Sequence, residues 1–368
     1  MNQKIKVLIV TPDFYPNNLG GCGLSAYLLW KELMERKIAV DVISFDTQQE
    51  TIIKGSSTVF RIKGFPKFGL LNILLAGIKL RNKLSNYDVI HVFNMDMIPP
   101  VVLNSFKKNR IVATINNPKG AMITRNAITF QFFAQYLHDL IIMQLIKLSS
   151  LRVNKFIALT EAISELYVNA GYNSESIRVI PNMYDKLFSN KNMKSIRRTG
   201  KKFLYVGQLS EKKGLKTLLK AFTEFIYNNP TTNDTLTICG KGKLSDWIST
   251  HISKHEQESR IILTDSQYIK LPNLYQDHDV LVHPAEWFEP FSRTWLEAMQ
   301  QQLIIISTNN PSAIEVLPQN TFFFSTQKEL SKTIKHVSKM RKFDIDYSKT
   351  LTMYSPKRVV NRILETYI

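Results

Sequence analysis

The chain has 368 residues, 44% of them hydrophobic and 21% charged, which is enough for two domains that each bury a core and too apolar for a disordered chain. No apolar run reaches the roughly 20 residues of a membrane span, and Lys4-Ile5-Lys6 leads directly into a short strand rather than a secretory leader, so a cytoplasmic protein is expected. The two cysteines, Cys22 and Cys239, form no metal or disulfide framework, and 48 Lys and Arg against 30 Asp and Glu give a formal charge of +18 that calls for an anionic partner.

Residues 6–10 read as a buried strand, 24–35 as a helix by apolar spacing and 39–44 as a second strand, a βαβ opening. The long loop 11–23 before the helix ends in Leu19-Gly20-Gly21-Cys22-Gly23. After a polar segment, 65–84 interleaves Phe68, Leu70, Leu71, Ile73, Leu74, Leu75 and Ile78 with Lys67, Lys79, Arg81 and Lys83. That pattern fits an amphipathic helix, either packed on the domain or lying on a membrane surface. Residues 51–125 carry twelve basic residues against Asp88 and Asp96, an excess of about +10, so the anionic partner is expected on this part of the chain.

Strands follow at 89–93 and 111–115, then an apolar helical stretch at 129–148, a strand at 155–159, and a last strand at 178–180 before the turn Pro181-Asn182. Alternating strand and helix periods imply a doubly wound α/β domain over 1–190. The segment 191–202 has six basic and no acidic residues, and 191–201 reads as a basic linker. A second α/β domain over 202–350 opens with a strand at 202–206, turns at Gly207 and enters a helix at 214–226, with further strands at 236–239, 260–263 and 280–283. A helix over 355–368, with Ser355 and Pro356 at its start and Val359, Val360, Ile363, Leu364 and Tyr367 on one face, is expected to pack back on the first domain.

The stretch 279–302 carries the chemistry. An apolar strand ends at His283-Pro284, Pro290 and Ser292 signal a helix start, and a second buried strand follows from Leu303. Backbone N–H groups of Phe291, Ser292, Arg293 and Thr294 would point from the helix N-terminus to the mouth of the sheet, a seat for phosphate. Glu289 lies just before that seat and Glu297 two turns into the helix. Carboxylates on both sides of an anion seat suit a ligand with hydroxyls on either side of its phosphates, which is the layout of a nucleotide sugar.

These residues resemble a retaining glycosyltransferase of family 4 with the GT-B architecture, and the resemblance covers most of the chain. It is carried by Glu289 and Glu297, with seven residues between them, by Gly20-Gly21, Val179-Ile180-Pro181-Asn182, Val206-Gly207 with Lys213-Gly214, and Gly240-Lys241-Gly242. It implies two facing Rossmann-like domains with a cleft between them, the nucleotide sugar held mainly by the second and the acceptor by the first, and neither cofactor nor metal. Lys213 would stabilise charge on the leaving diphosphate, Glu289 would contact the transferred sugar, and Glu297 would accept from the ribose hydroxyls. The amides of Phe291, Ser292, Arg293 and Thr294 would hold sugar and phosphate, while Gly20, Gly21 and Gly207 would let the backbone approach the donor. Two positions depart from the family: Gln208 stands where arginine is common, with Arg293 the candidate substitute for its charge, and Asn116-Asn117 where histidine is frequent, with Asn116 the candidate for the sugar or acceptor contact there.

Competing readings fail on context. Gly21-Cys22-Gly23-Leu24-Ser25-Ala26 with Asp46 imitates a dinucleotide fingerprint, but about ten residues separate Val10 from Gly21, too many for the tight turn that the fingerprint needs. Asp344-Ile345-Asp346 reads as a solvated turn rather than a metal site. The basic surface has no nucleic-acid recognition motif beside it. A sugar-phosphate phosphorylase of the same architecture and, from a different class, a nucleic-acid-binding protein using the basic first domain stay open as alternatives. The expected protein is a cytoplasmic enzyme, peripheral at the inner membrane face through residues 51–125. It would move a hexosyl or N-acetylhexosaminyl group from a UDP- or GDP-sugar to a lipid-linked or polysaccharide acceptor, with retention, in the synthesis of lipopolysaccharide or another cell-surface glycan, and no nucleic acid would be bound.

Overall fold

The computed structural model describes residues 5–16, 20–46, 49–64, 77–80, 82–122, 130–189, 200–257, 259–340 and 346–368. The amphipathic stretch expected at 65–84, most of the linker at 191–201 and Asp344-Ile345 lie largely outside them. The chain forms two compact units, Met1–Met183 with Ser355–Ile368, and Tyr184–Tyr354.

The first unit is built on β1 (Lys6–Thr11), β2 (Ala39–Asp46), β3 (Glu50–Lys54), β4 (Ser57–Lys63), β5 (Val89–Phe93), β6 (Arg110–Ile115), β7 (Lys155–Ala158) and β8 (Ile177–Val179). Their order is β3-β4-β2-β1-β5-β6-β7-β8, and all pairs are parallel except β3 with β4. Val7, Leu8, Ile9 and Val10 have no exposed surface, as expected of a central strand covered on both faces by helices. The helices include α1 (Gly21–Glu35), α2 (Ile98–Asn104), α3 (Phe130–Ser150) and α4 (Glu161–Asn169).

Two details differ from the sequence reading. Helix α1 starts at Gly21, three residues before the apolar spacing begins at Leu24, because the Asp13 carboxylate accepts hydrogen bonds from the backbone of Gly20 and Gly23 and so caps an earlier turn. The polar segment before residue 65 contains the β3–β4 hairpin. Its buried face carries Ser57, which takes the Trp30 indole at 2.7 Å, and Arg61, paired with Glu50 at 2.9 Å, so the apolar alternation that marks a strand is broken.

The second unit has β9 (Lys202–Val206), β10 (Thr235–Cys239), β11 (Ile261–Thr264), β12 (Val280–His283), β13 (Ile304–Thr308) and β14 (Phe322–Phe324), all parallel in the order β11-β10-β9-β12-β13-β14. Helices α5 (Leu215–Asn228), α6 (Ser245–Lys254), α7 (Leu271–Gln276), α8 (Arg293–Gln300), α9 (Pro311–Val316), α10 (Gln327–Lys339) and α11 (Ser348–Met353) accompany it. On α5 the buried stripe Leu215, Leu218, Leu219, Phe222, Phe225 and Ile226 follows helical spacing and packs into the core beside Leu236, Val280 and Ile304. Strand order reverses between β9 and β12, so the loops leaving these strands diverge there and open the crevice where ligands of such sheets bind.

The last helix, α12 (Pro356–Glu365), belongs to the first unit. It buries Val359, Val360 and Ile363, and its flank is tied by Arg36 to Asn361 at 2.6 Å, by Arg110 to the Thr366 carbonyl at 2.9 Å and by Tyr367 to His91 at 2.7 Å. No helix among the described residues is long and apolar enough to cross a membrane.

Candidate active site

The β9 loop closes in a single turn, Glu211–Lys213, and leaves through Gly214 at φ +67. A Cβ on Gly214 would lie 1.7 Å from the Pro284 carbonyl oxygen, so only glycine allows this loop to touch the loop after β12. The contact is fastened by the Glu286 N–H to the Lys212 carbonyl at 3.0 Å and by the Thr217 hydroxyl to the Glu286 carboxylate. Gly240 makes a similar approach, with a Cβ there 1.9 Å from the Gly207 carbonyl oxygen, so the β10 loop is held against the β9 loop.

This bracing brings together two residues 76 positions apart. The Lys213 ammonium lies 2.5 Å from Glu289 Oε2, and the Trp287 indole N–H donates to the same oxygen at 2.9 Å. Lys213 Nζ also sits 5.2 Å from the Trp287 ring centroid. Glu289 is only 7% exposed, and a carboxyl group so far from water is costly to bury without such donors. Beneath them His283, at the end of β12, is buried, and burial pulls its imidazole down to about 4, so it is neutral at pH 7.

Helix α8 starts after Ser292, whose backbone is extended (φ −89, ψ 127), and whose side chain makes no capping bond but lies 2.8 Å from the Thr294 hydroxyl. The first-turn N–H groups are thus not capped by the Ser292 side chain. The Phe291 ring is buried against Trp295 and Tyr354, which leaves only its backbone to face a ligand. Glu297 is 5% exposed and accepts the Tyr275 hydroxyl at 2.7 Å. Burial raises its carboxyl above the usual range, while Tyr275 and the Arg293 charge oppose that. Arg293 is itself buried, with its charge acting on Glu297 and Tyr268. Gln208 is exposed, and its carbonyl accepts the Tyr205 hydroxyl at 2.8 Å.

In the first unit Gly20, with Gly23, closes over Asp13, whereas Gly21 does not approach it. A Cβ on Gly20 would be 2.2 Å from Asp13 Oδ2, and burial pushes the Asp13 carboxyl up to about 6 despite the backbone hydrogen bonds that it accepts. Gly21 is exposed as the first residue of α1. Asn116 donates to the Cys22 sulfur at 3.3 Å, and Asn117 to Asn94 at 2.7 Å, where Asn94 holds the uncommon φ of +88 at the end of β5. These groups line the end of the sheet at which its own strand order reverses, between β1 and β5. Among the described residues no group of three or more His, Cys, Asp or Glu could hold a metal ion. Sequence reasoning missed Asp13, Trp287, Tyr275 and His283, because each acquires its role from a partner brought in by the fold.

Two family models match the chain in adjacent spans, Glycosyltransferase Family 4 over residues 19–186 and Glycosyl transferases group 1 over residues 188–352. Among curated proteins, spore coat protein SA of Bacillus subtilis is 33% identical over 129 residues, covering 32% of this chain and about a third of that protein's length (33%). An uncharacterized 42.6 kDa protein in the cps region of Klebsiella pneumoniae is 21% identical over 93% of this chain and 97% of its own. Among solved structures, Anabaena Alr3699/HepE in complex with UDP and glucose superposes with a TM-score of 0.75 at 18% identity, over 98% of this chain and 99% of that one. A mutant of TarM from S. aureus, in a complex that contains UDP, gives a TM-score of 0.75 at 12% identity, over 99% and 100%. At such identities the likeness is one of fold.

Proposed function

The chain belongs to glycosyltransferase family 4 and has the GT-B fold of two Rossmann-like domains, and we propose that it transfers a hexosyl or N-acetylhexosaminyl group from a UDP- or GDP-sugar to a lipid-linked or polysaccharide acceptor, with retention at the anomeric carbon. The observation that carries this reading is the Lys213–Glu289 pair, seated where the strand order of the second sheet reverses. UDP in the HepE and TarM complexes supports a nucleotide-sugar donor, and the cps-region relative supports a place in glycan synthesis.

In this reading the Lys213 ammonium neutralises charge on the departing diphosphate, aided by the N–H groups at the start of α8. Glu289 accepts from a hydroxyl of the transferred sugar, and Glu297 from the ribose. Gly20, Gly21 and Gly207 admit the donor closely, Asn116 contacts sugar or acceptor, and no metal or other cofactor takes part. The basic residues between 51 and 125 hold the enzyme at the inner, anionic membrane face, where a lipid-linked acceptor is found. Neither the phosphorylase nor the nucleic-acid alternative is favoured by the family matches.

Hydrolysis assays over a panel of UDP- and GDP-sugars test the reading. Lys213→Ala should lower kcat by at least about 10²-fold while the chain still folds, since it removes charge stabilisation concentrated in the transition state. A change below about threefold would show that Lys213 has no part in the chemistry.

A further inference from the structure

We propose that Trp287 is a positioning residue that keeps Glu289 aimed at the transferred sugar while Lys213 is drawn to the donor diphosphate, an inference that rests on the donor-site reading above. Both hydrogen-bond partners of Glu289 among the described residues, Lys213 Nζ and Trp287 Nε1, meet on one oxygen, Oε2. The second oxygen is therefore the one left to accept a sugar hydroxyl. Fixing Oε2 fixes the direction of Oε1.

The two donors differ in what happens when a diphosphate arrives. Lys213 carries a compact charge on a flexible stem and is partly exposed, so it follows the stronger anion. The indole N–H is a neutral donor with no acceptor capacity, on a side chain with two rotatable bonds, and has no such pull to follow. Its backbone is anchored next door, where the Glu286 N–H binds the Lys212 carbonyl at 3.0 Å and the Glu286 carboxylate takes the Thr217 hydroxyl. Among the described residues no other side chain donates to Glu289. A buried Glu289 that lost Lys213 to the diphosphate and had no indole would be free to turn toward the nearest donor, the diphosphate-bound ammonium, and away from the sugar.

Trp287→Phe keeps the ring and removes only the N–H. With wild-type turnover established on a UDP- or GDP-sugar panel, the variant is expected to lose about tenfold in kcat or more, with donor KM changed less than about twofold and the thermal midpoint retained. In a Glu289→Ala background the same substitution should cost nothing further, which a purely structural tryptophan would not show. Turnover equal to wild type, a loss expressed wholly in KM, or an undiminished effect in the Glu289→Ala background would each overturn the inference and leave the donor-site reading intact. Wild-type protein that turns over no nucleotide sugar and binds neither UDP nor GDP would overturn that reading, and the inference with it.

Discussion

Asp13 is held in a place that costs it ionisation. Its carboxyl titrates at about 6 instead of 3.8 because burial outweighs the backbone hydrogen bonds from its own residue, Gly20 and Gly23. Between about pH 4 and 6 the folded chain therefore keeps a proton that the unfolded chain has released. The contribution of this group to stability is complete below about pH 4 and lost as the pH rises through 6. At 1.36 kcal/mol per pH unit the loss is at most about 3 kcal/mol. Asp13→Asn should thus match wild type at pH 4 and exceed it by up to that amount at pH 7.5, read from denaturant midpoints at the two pH values. A variant no more stable at either pH would show that the carboxylate is not under strain. Residues that break a local rule at the end of a sheet are those expected to serve function. At this scale the sequence and its family resemblance picked out Lys213, Glu289 and Glu297, whose types and spacing carry the signal. Trp287 and Asp13 stayed hidden, since the meaning of each lies in a neighbour that only the fold supplies.

Elements were legible where one physical signal dominated. The apolar runs of β1, β12 and β13 stand out because central parallel strands are covered on both faces, and α12 because Val359, Val360 and Ile363 recur at helical spacing. The β3–β4 hairpin was not legible, because Ser57 and Arg61 satisfy their polar groups inside rather than in water. The same kind of satisfaction secures the end of the chain. His91 has no exposed surface, and its two ring nitrogens lie 2.7 Å from the Tyr367 hydroxyl and 2.7 Å from the Thr114 hydroxyl. Burial pulls it down to about 3, so it is neutral at pH 7 and needs both partners. Tyr367→Phe leaves one buried nitrogen without its partner, at a cost of about 1–3 kcal/mol. A fall of several degrees in the thermal midpoint of the purified protein is expected. An unshifted midpoint would mean that the bond contributes nothing.

For the whole molecule, the two-domain α/β class was legible because strand and helix periods alternate through both halves of the chain, while the place of the anionic contact was not. The amphipathic stretch 65–84, expected either to pack on the domain or to lie on a membrane, falls mostly outside the described residues, but a second feature stands within the same basic region and just beyond it. Leu103, Phe106, Leu148 and Leu151 are 72%, 45%, 68% and 84% exposed. The chain at Leu151 is tied to that at Phe106, since the neighbouring Arg152 donates to the carbonyls of Phe106 at 2.8 Å and Lys107 at 3.1 Å. Lys107 and Lys108 are exposed beside them, and residues 97–160 contain a single carboxylate, Asp139. Exposed apolar side chains ringed by cations suit an anionic bilayer, with the apolar groups entering the interface and each nearby Lys or Arg adding roughly 1 kcal/mol. Lys107→Gln with Lys108→Gln should then weaken binding by up to about 2 kcal/mol, which is roughly thirtyfold. Co-sedimentation with phosphatidylcholine vesicles, with and without phosphatidylglycerol, is the measurement. Binding should require the anionic lipid, fall with salt as screening shortens the reach of the charges, and fall again in Leu148→Ser and Leu151→Ser. Hydrolysis of a soluble nucleotide sugar should keep its wild-type rate in all of these variants, because none of the residues changed is assigned to the donor and Lys213, Glu289 and Glu297 lie in the other unit. Equal binding to neutral and anionic vesicles, or none to either, would remove the membrane role and reassign the positive charge to an anionic polysaccharide.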